Sequence, residues 1–229
     1  AVRDKGIIPW DDDIDIMMNR ENYDKFIKHI NQLKDGFKFI CMENEPEYGL
    51  PFGKVMNMNT IFKECSYGNN KGPCGVFVDI FVFDSIPNNK AEITYIIKKS
   101  NKIKSDLLCR SGYYYGQKGF KLFLYRLRGF FLGLISKSLF TSKYNKNIKD
   151  NYLAGNYNIG NYVAQGDNIF KENFPKEMFE QYIFLDFENK KYMCIKDFDG
   201  FLRKRYGDYM QLPPKNDQVA HHFVDELNL

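Results

Sequence analysis

The sequence predicts an α+β fold, a mixed sheet flanked by helices, with α/β as the alternative. Residues 75–87, GVFVDIFVFDSIP, are almost all β-branched or aromatic, which is typical of a central strand buried on both faces. Between Asn19, a good N-cap residue, and Gly36, apolar side chains recur at helical spacing: Tyr23, Phe26, Ile27 and Ile30. Residues 98–149 have a helical, basic and aromatic pattern. Strands and helices are both expected to contribute to the core.

The remaining segments predict shorter elements. Residues 53–64, GKVMNMNTIFKE, place apolar side chains on alternate positions and predict one strand. Residues 151–168 are rich in Asn and Gly and predict a loop. Residues 190–195 predict a short strand, and residues 196–214 predict a helix that ends at its two final prolines.

Composition indicates a globular intracellular protein. The 229 residues are 44% hydrophobic and 17% aromatic, which is enough for a substantial core. Five scattered cysteines without a C-x-x-C pair argue against a disulfide framework or a zinc site, and for a reducing compartment. The sequence shows neither a signal peptide nor an apolar run long enough to span a bilayer. We therefore expect a cytoplasmic location.

Charge is distributed unevenly along the chain. Residues 98–149 contain ten Lys, three Arg and one Asp, a net charge of +12, which leaves −8 on the rest of a chain whose total is +4. Residues 120–140 combine Phe and Leu with basic side chains and contain no acid. They predict either a peripheral contact with an anionic membrane or a helix that packs on the core with its charges in water. No nucleic-acid recognition motif is present, so nucleic acid is not expected as a partner.

The most unusual stretch is PWDDDID, with four acidic residues: Asp11, Asp12, Asp13 and Asp15. A calcium loop starting at Asp11 would need Gly where this chain has Ile16 and Glu where it has Asn22, so the motif is not met at two positions. The letters also fit the helical D-D-x-x-D of prenyl synthases, but the alternation of acids with isoleucines has the period of a strand. A solvated acidic turn is the non-functional alternative.

A metal-binding D-x-D at a strand end is the interpretation we favour. Asp13 and Asp15 would lie about 7 Å apart along a strand, close enough to converge on Mg²⁺ or Mn²⁺. Asp79 is the sole carboxylate in the apolar stretch FVDIF, where an unpaired charge would cost several kcal/mol. A shared cation would relieve that cost. The three carboxylates are therefore the predicted catalytic and metal-binding residues.

Three blocks of this sequence resemble the LicD family, which includes fukutin and fukutin-related protein. They are AVRDKGIIPWDDDIDIMMNRENYDKF, FVDIFVFDSIP and LRKRYGDYMQLPP followed by HH. The resemblance implies a nucleotidyltransferase-like fold. It divides the chain into a catalytic core (1–97), a basic aromatic helical insertion facing the acceptor or a membrane (98–150) and a C-terminal part completing the core (151–229). Family members carry GTLLG before AVR, and the glycine and hydroxyl of that segment are not in this sequence.

The resemblance also implies an activity. LicD-type enzymes move phosphocholine, or a related polyol phosphate, from a CDP-linked donor such as CDP-choline onto a teichoic acid, lipopolysaccharide or other surface glycan, including lipid-linked acceptors. Asp13, Asp15 and Asp79 match the family's metal ligands, and Asp79 is the expected general base. Asp11 opens the motif and is expected to assist, whereas alternation points Asp12 away from the metal in a structural role. An acceptor carried on a lipid would bring the enzyme to the inner face of the membrane.

Further residues are candidates for substrate contacts. Arg3 and Lys54 could neutralise phosphate oxygens, with a solvated surface charge as the alternative for each. Trp10 and the tyrosines of GYYYG could form an aromatic box for a quaternary ammonium, with core packing as the alternative. His221, with its neighbour His222, matches a family histidine that could contact phosphate or transfer a proton.

Three rival functions stay open on the sequence alone. A D-x-D glycosyltransferase would use a nucleotide sugar, and a nucleotidyltransferase would leave CMP or AMP on the acceptor and release pyrophosphate. A binding protein without catalysis is the third. The intact set of Asp13, Asp15 and Asp79 argues against the last of these.

Overall fold

The structure is a computed structural model that describes residues 1–114, 117–149, 157–163, 168–220 and 222–229. The described strands are β1 (Asp15–Asn19), β2 (Phe37–Ile40), β3 (Gly53–Asn57), β4 (Ile61–Glu64), β5 (Phe77–Ile86), β6 (Asn158–Asn161), β7 (Asn173–Pro175), β8 (Tyr182–Phe187), β9 (Lys190–Ile195) and β10 (Val224–Asn228). The described helices are α1 (Arg20–Lys28), α2 (Lys90–Arg110), α3 (Gly119–Gly133), α4 (Lys137–Lys149), α5 (Asn168–Lys171) and α6 (Phe198–Tyr206).

β5 is the centre of the main sheet, as its two-sided apolar sequence predicts. The sheet has the order β2-β3-β5-β6-β7, and β1 also pairs with β5. The β1–β5 pair is parallel and the other pairs are antiparallel, so the sheet is mixed. Two small antiparallel pairs, β4–β10 and β8–β9, complete the strands. The α+β arrangement and the mixed sheet are confirmed.

Helix α1 begins where the sequence predicts and ends earlier. The side chain of Asn19 accepts a hydrogen bond of 2.9 Å from the backbone N–H of Asn22, which caps the helix. The predicted apolar side chains of this helix face the core, where the rings of Tyr23 and Phe26 lie edge-on to the buried ring of Phe39. The helix ends at Lys28 and is followed by a short 3-10 turn, so its predicted extension to Gly36 is wrong.

Three other predicted boundaries are corrected. Residues 53–64 form two strands, because the Asn57 side chain accepts from the N–H of Asn59 (3.0 Å) and closes a turn between β3 and β4. Within the predicted loop 151–168, residues of β6 form a strand, because pairing with β5 and β7 outweighs the loop preference of Asn and Gly. Residues 151–156 and 164–167 of that predicted loop lie outside the described residues. Helix α6 ends at Tyr206, well before the prolines, and is capped by Gly207, whose φ of +74° suits glycine.

The basic segment is helical, as predicted, and two of its helices pack on the core. Helix α2 runs from Lys90 to Arg110 without a break, across the boundary predicted at 97/98. It buries side chains along its whole length, and α4 adds Phe140 and Tyr144 to the largest core cluster. In GYYYG, Tyr113 is buried in this cluster, Tyr114 lies against Arg126, and Tyr115 is outside the described residues. None of the described helices combines the length and apolar character needed to cross a membrane.

Candidate active site

Strand pairing brings three charged residues into one row across the main sheet. Asp15, the first residue of β1, is in register with Asp79 of β5, and Lys54 of β3 is in register with Asp79 from the other side. The N–H of Asp79 donates to the carbonyl of Ile14 (2.9 Å), which fixes the start of β1 against β5. Residues in register share a face of the sheet, so these three side chains lie on the same face.

Lys54 and Asp79 form a buried ion pair. The ammonium Nζ lies 2.7 Å from Asp79 Oδ1, and the two residues are only 2% and 5% exposed. Burial lowers the pKa of Lys54 and raises that of Asp79, and their attraction opposes both shifts. The ring of Phe77 lies against the ammonium, 3.0 Å from centroid to Nζ. Lys54 is therefore a buried counter-ion of Asp79 and not a solvated surface charge.

Asp15 lies beside that pair, among further negative charges. The residue is exposed as a whole, yet the protein around its carboxyl group weakens hydration of the ionised form. Together with repulsion from Asp13 and Asp79, this raises the pKa of Asp15 to about 6, despite the opposing charges of Arg205 and Lys54. Carboxyl groups with such raised pKa values are common at sites that bind cations or exchange protons.

The residues before β1 form an acidic loop. Asp11, Asp12 and Asp13 each offer a carboxylate oxygen within 4.8 Å of the others, which is spacing that a hard cation could bridge. Asp13 also raises the pKa of both Asp15 and Asp79, but Asp13, Asp15 and Asp79 do not form such a closely spaced trio in the described part of the chain. The five carboxylates are thus gathered around one end of the β1–β5 pair.

Asp12, for which a structural role away from the metal is predicted, lies in this loop beside Asp11 and Asp13, and both of its carboxylate oxygens contact His222. The alternation of a strand does not extend to Asp12, because β1 begins only at Asp15. Ile14 and Ile16 are 50% and 41% exposed, so the isoleucines of the DDDIDI stretch do not form a buried face.

His222 connects the acidic loop to β4. Its backbone N–H and ring Nδ1 lie 3.1 and 3.0 Å from the two carboxylate oxygens of Asp12, and Nε2 lies 3.7 Å from Glu64. Its ring is edge-on to Phe62 and Phe77. Burial alone would lower the pKa of His222, but the hydrogen bond with Asp12 and the negative charges of Glu64, Asp12 and the acidic loop outweigh it and raise the pKa. The C-terminal segment therefore fastens the loop through a histidine.

Replacing His222 by alanine should destabilise the protein by about 1–3 kcal/mol near pH 6 and by less near pH 9. Because the folded-state pKa is raised above 6.5, the stabilisation is complete below pH 6.5 and is lost as the pH rises through the folded-state value. Urea unfolding in EDTA at both pH values measures the difference. In an Asp12→Asn background the pH dependence of the loss should shrink, and equal losses at both pH values would contradict this assignment.

The other predicted substrate residues lie in different surroundings. Arg3 donates to Asp4 (2.8 Å) and to the carbonyls of Tyr209 and Gln211 (3.3 and 3.4 Å), so its guanidinium ties the N-terminal segment to the chain after α6. Trp10 is half-buried just before the acidic loop. His221 lies outside the described residues. Substrate contacts through these residues stay predictions.

Arg205 is a cation near the site that the sequence did not single out. It lies on α6, its charge lowers the pKa of Asp15, and it is ion-paired with the buried Glu172. With Lys171 and Tyr206 these two residues line a cavity of about 340 Å³. The block LRKRY contains several basic residues, and only the fold shows which one approaches the aspartates.

Comparisons with known proteins agree with these features. Residues 1–108 match a domain described as LicD/FKTN/FKRP, nucleotidyltransferase domain, and all three predicted metal-binding aspartates fall within it. Over 98% of its length the chain is 29% identical to a lipopolysaccharide cholinephosphotransferase, LicD, from Haemophilus influenzae, and the alignment covers 83% of that protein. No solved structure matches the chain significantly.

Proposed function

We propose that this chain is a cholinephosphotransferase of the LicD family, because residues 1–108 match that family's nucleotidyltransferase domain. It would transfer phosphocholine, or a related polyol phosphate, from CDP-choline or another CDP-linked donor onto a cell-surface glycan. Lipopolysaccharide is the acceptor class named for the Haemophilus relative, and a teichoic-acid precursor has equivalent hydroxyl chemistry. The nucleotidyltransferase-like fold is part of the proposal, and the mixed sheet with carboxylates at one end of β1 and β5 is consistent with it.

The observation that carries the proposal is the excess of negative charge around Asp15. A carboxyl group with a pKa of about 6 beside Asp13 and Asp79 is destabilised when ionised, and a divalent cation would relieve the repulsion. Carboxylate oxygens are the ligands that Mg²⁺ or Mn²⁺ prefers, and those of Asp11, Asp12 and Asp13 lie within 4.8 Å of one another, so the acidic loop fits such an ion. Asp13, Asp15 and Asp79 would hold it. When bound, the ion would neutralise charge on the donor diphosphate and on the leaving CMP.

The chain's own residues have separable tasks in this scheme. Lys54 holds Asp79 at the centre of the sheet through the buried ion pair. His222 holds the acidic loop through Asp12. Arg205 presents a cation to the same end of the sheet, where a phosphate oxygen of the donor would be attracted. One of the three carboxylates would accept the proton of the acceptor hydroxyl.

The head group and the place of the reaction also belong to the proposal. A quaternary ammonium would be recognised by an aromatic face, and Trp10 stands beside the acidic loop. We place the enzyme in the cytoplasm, peripheral at the inner face of the membrane, where a lipid-linked glycan would be accessible.

Calorimetric titration tests the site and the donor together. CDP-choline, CDP-ribitol and CDP-glycerol are each titrated into the protein with Mg²⁺ and with EDTA. We expect Mg²⁺-dependent binding of one CDP compound, and its loss in the Asp13→Ala/Asp15→Ala variant. Lys34→Ala, a substitution in the segment before β2, is the control and should bind normally. Binding of UDP-sugars instead would indicate a glycosyltransferase, and CMP retained on the acceptor by mass spectrometry would indicate a nucleotidyltransferase.

A further inference from the structure

Helix α3 presents an apolar face to solvent. None of its residues is fully buried. Seven large apolar side chains in and next to it are 43–74% exposed: Phe120, Phe123, Leu124, Leu127, Phe130, Phe131 and Leu134. We call these seven residues the α3 apolar face. Exposed apolar patches of this size on a protein surface usually mark an interaction site.

The α3 apolar face lies opposite the side of the helix that packs on the protein. At 100° per residue the seven side chains fall within an arc of about 120°. Leu122, Tyr125, Gly129 and Leu132 are half-buried on the other side. There, Cys109 Sγ of α2 lies 3.2 Å from the carbonyl of Tyr125, and a Cβ at Gly129 would come within 2.7 Å of the Cys109 carbonyl. The inner side is already packed, so the apolar face cannot turn inward without breaking these contacts.

Basic side chains on and next to α3 flank this face. Residues 107–149 contain nine Lys and Arg and neither Asp nor Glu. Lys118, the N-cap residue of α3, and Lys121 within the helix are exposed. Arg126 lies over the ring of Tyr114 (4.9 Å), and Arg128 pairs with Asp106 of α2, so both are held beside the helix. We call this set the basic rim.

The dimensions suit a helix that lies on a bilayer. Fifteen residues span about 22 Å, less than the roughly 30 Å of a bilayer's hydrocarbon core. A large apolar face bordered by Lys and Arg is typical of helices that lie in the headgroup plane. An anionic polymer alone would leave the phenylalanine side chains in water. A second copy of this chain would bring an equally basic surface against the first.

We propose that the α3 apolar face and the basic rim bind the surface of an anionic lipid bilayer, with α3 lying in the plane of the headgroups. This deepens the proposed function, on which it rests for its purpose, because a lipid-linked acceptor would then be met at the surface where the enzyme docks. The binding itself requires neither donor nor metal, so it can be measured independently of transfer.

Vesicle co-sedimentation tests the proposal. The protein should sediment with vesicles of phosphatidylcholine mixed with phosphatidylglycerol, and far less with phosphatidylcholine alone; added salt should weaken the binding. Phe130→Ser should reduce the partition coefficient about tenfold. Phe184→Ser on β8 is the matched control, because Phe130 and Phe184 are 66% and 65% exposed, and it should bind like the unmodified protein.

Three results would overturn the proposal. The unmodified protein could fail to bind the anionic vesicles, or the two serine variants could bind equally. Analytical ultracentrifugation could instead show a dimer that Phe130→Ser dissociates, which would make the α3 apolar face an interface between copies. Circular dichroism checks that both variants fold. Donor titration with Phe130→Ser separates the two proposals. We expect this variant to bind the donor normally while it no longer binds vesicles. If the unmodified protein binds no donor, that result counts against the transferase proposal and not against vesicle binding.

Discussion

Replacing Asp79 by alanine should lower the free energy of unfolding by about 3–5 kcal/mol. Lys54 is 2% exposed, and Asp79 is the carboxylate 2.7 Å from its ammonium. Without Asp79 the ammonium would have to lose its proton, find water by local unfolding, or remain charged in an apolar environment beside Phe77. Each of these outcomes costs free energy that the native pair avoids.

Asp84 on the same strand provides the matched control. It is as buried as Asp79, at 5%, and it accepts two hydrogen bonds of 2.7 Å from Arg20. Arg20, however, has a side chain that is 36% exposed, so its guanidinium can turn to water when the carboxylate is removed. We expect Asp84→Ala to cost about 1–2 kcal/mol. Chemical unfolding in EDTA measures both variants.

A second variant separates loss of the charge pair from loss of packing. Lys54→Met/Asp79→Leu removes both charges and retains apolar volume, and it should recover most of the stability that Asp79→Ala loses. Equal destabilisation by Asp79→Ala and Asp84→Ala, with no recovery in the double variant, would mean that the ion pair contributes little and that the cost comes from the cavity alone.

The Lys54–Asp79 pair also shows what the sequence could and could not predict. Asp79 stands out because it interrupts an apolar strand, so a partner could be expected from the cost of burying a lone charge. Which partner it has depends on the register between β3 and β5, which no local pattern encodes. The sequence predicts a shared metal ion as the partner, which stays a prediction, and the structure adds Lys54 as a partner that the sequence did not indicate.

Local sequence patterns predicted an element well where one of its faces is buried. They predicted it poorly where pairing with a neighbouring strand determines its structure. The stripe of α1 and the apolar run of β5 follow directly from burial, and both were predicted. β6 pairs with β5 although Asn and Gly favour a loop, because its backbone groups are satisfied by the sheet. His222 was a candidate from its motif, but its contact with Asp12, 210 positions away, arises only from the fold.

Unlike Asp79→Ala, Asp15→Asn is expected to increase the stability of the fold. It is also expected to have the largest effect on activity. The folded-state pKa of Asp15 is about 6, above its ordinary value of 3.8. Ionisation therefore costs more in the folded state than in the unfolded chain: the cost is absent below about pH 4, grows between about pH 4 and 6, and is complete above that. The asparagine variant should be more stable at neutral pH by up to about 1 kcal/mol, a figure reduced for solvent screening around this exposed residue.

Activity should fall while stability rises. If Asp15 binds the cation of the proposed transferase, its loss should lower kcat/KM by about 10²–10³-fold or more. Mg²⁺ should raise the thermal midpoint of the unmodified protein, and do so less as the pH falls below about 6, where Asp15 takes up a proton in competition with the metal. Differential scanning calorimetry with Mg²⁺ and with EDTA, at pH values on both sides of 6, measures this directly. An equal response of Asp15→Asn to Mg²⁺ would exclude Asp15 as a ligand.

The contrast between Asp79 and Asp15 carries the functional conclusion. The two carboxylates are in register on neighbouring strands, but one has a buried lysine beside it and the other faces further aspartates. Removing the first should destabilise the fold, and removing the second should stabilise it. A charge that lowers the stability of the isolated protein is expected to serve the function. Binding the cation used in the reaction would be such a function. If Asp15→Asn proves less stable than the unmodified protein at pH 7 in EDTA, Asp15 serves the fold, and that support for a cation site is lost.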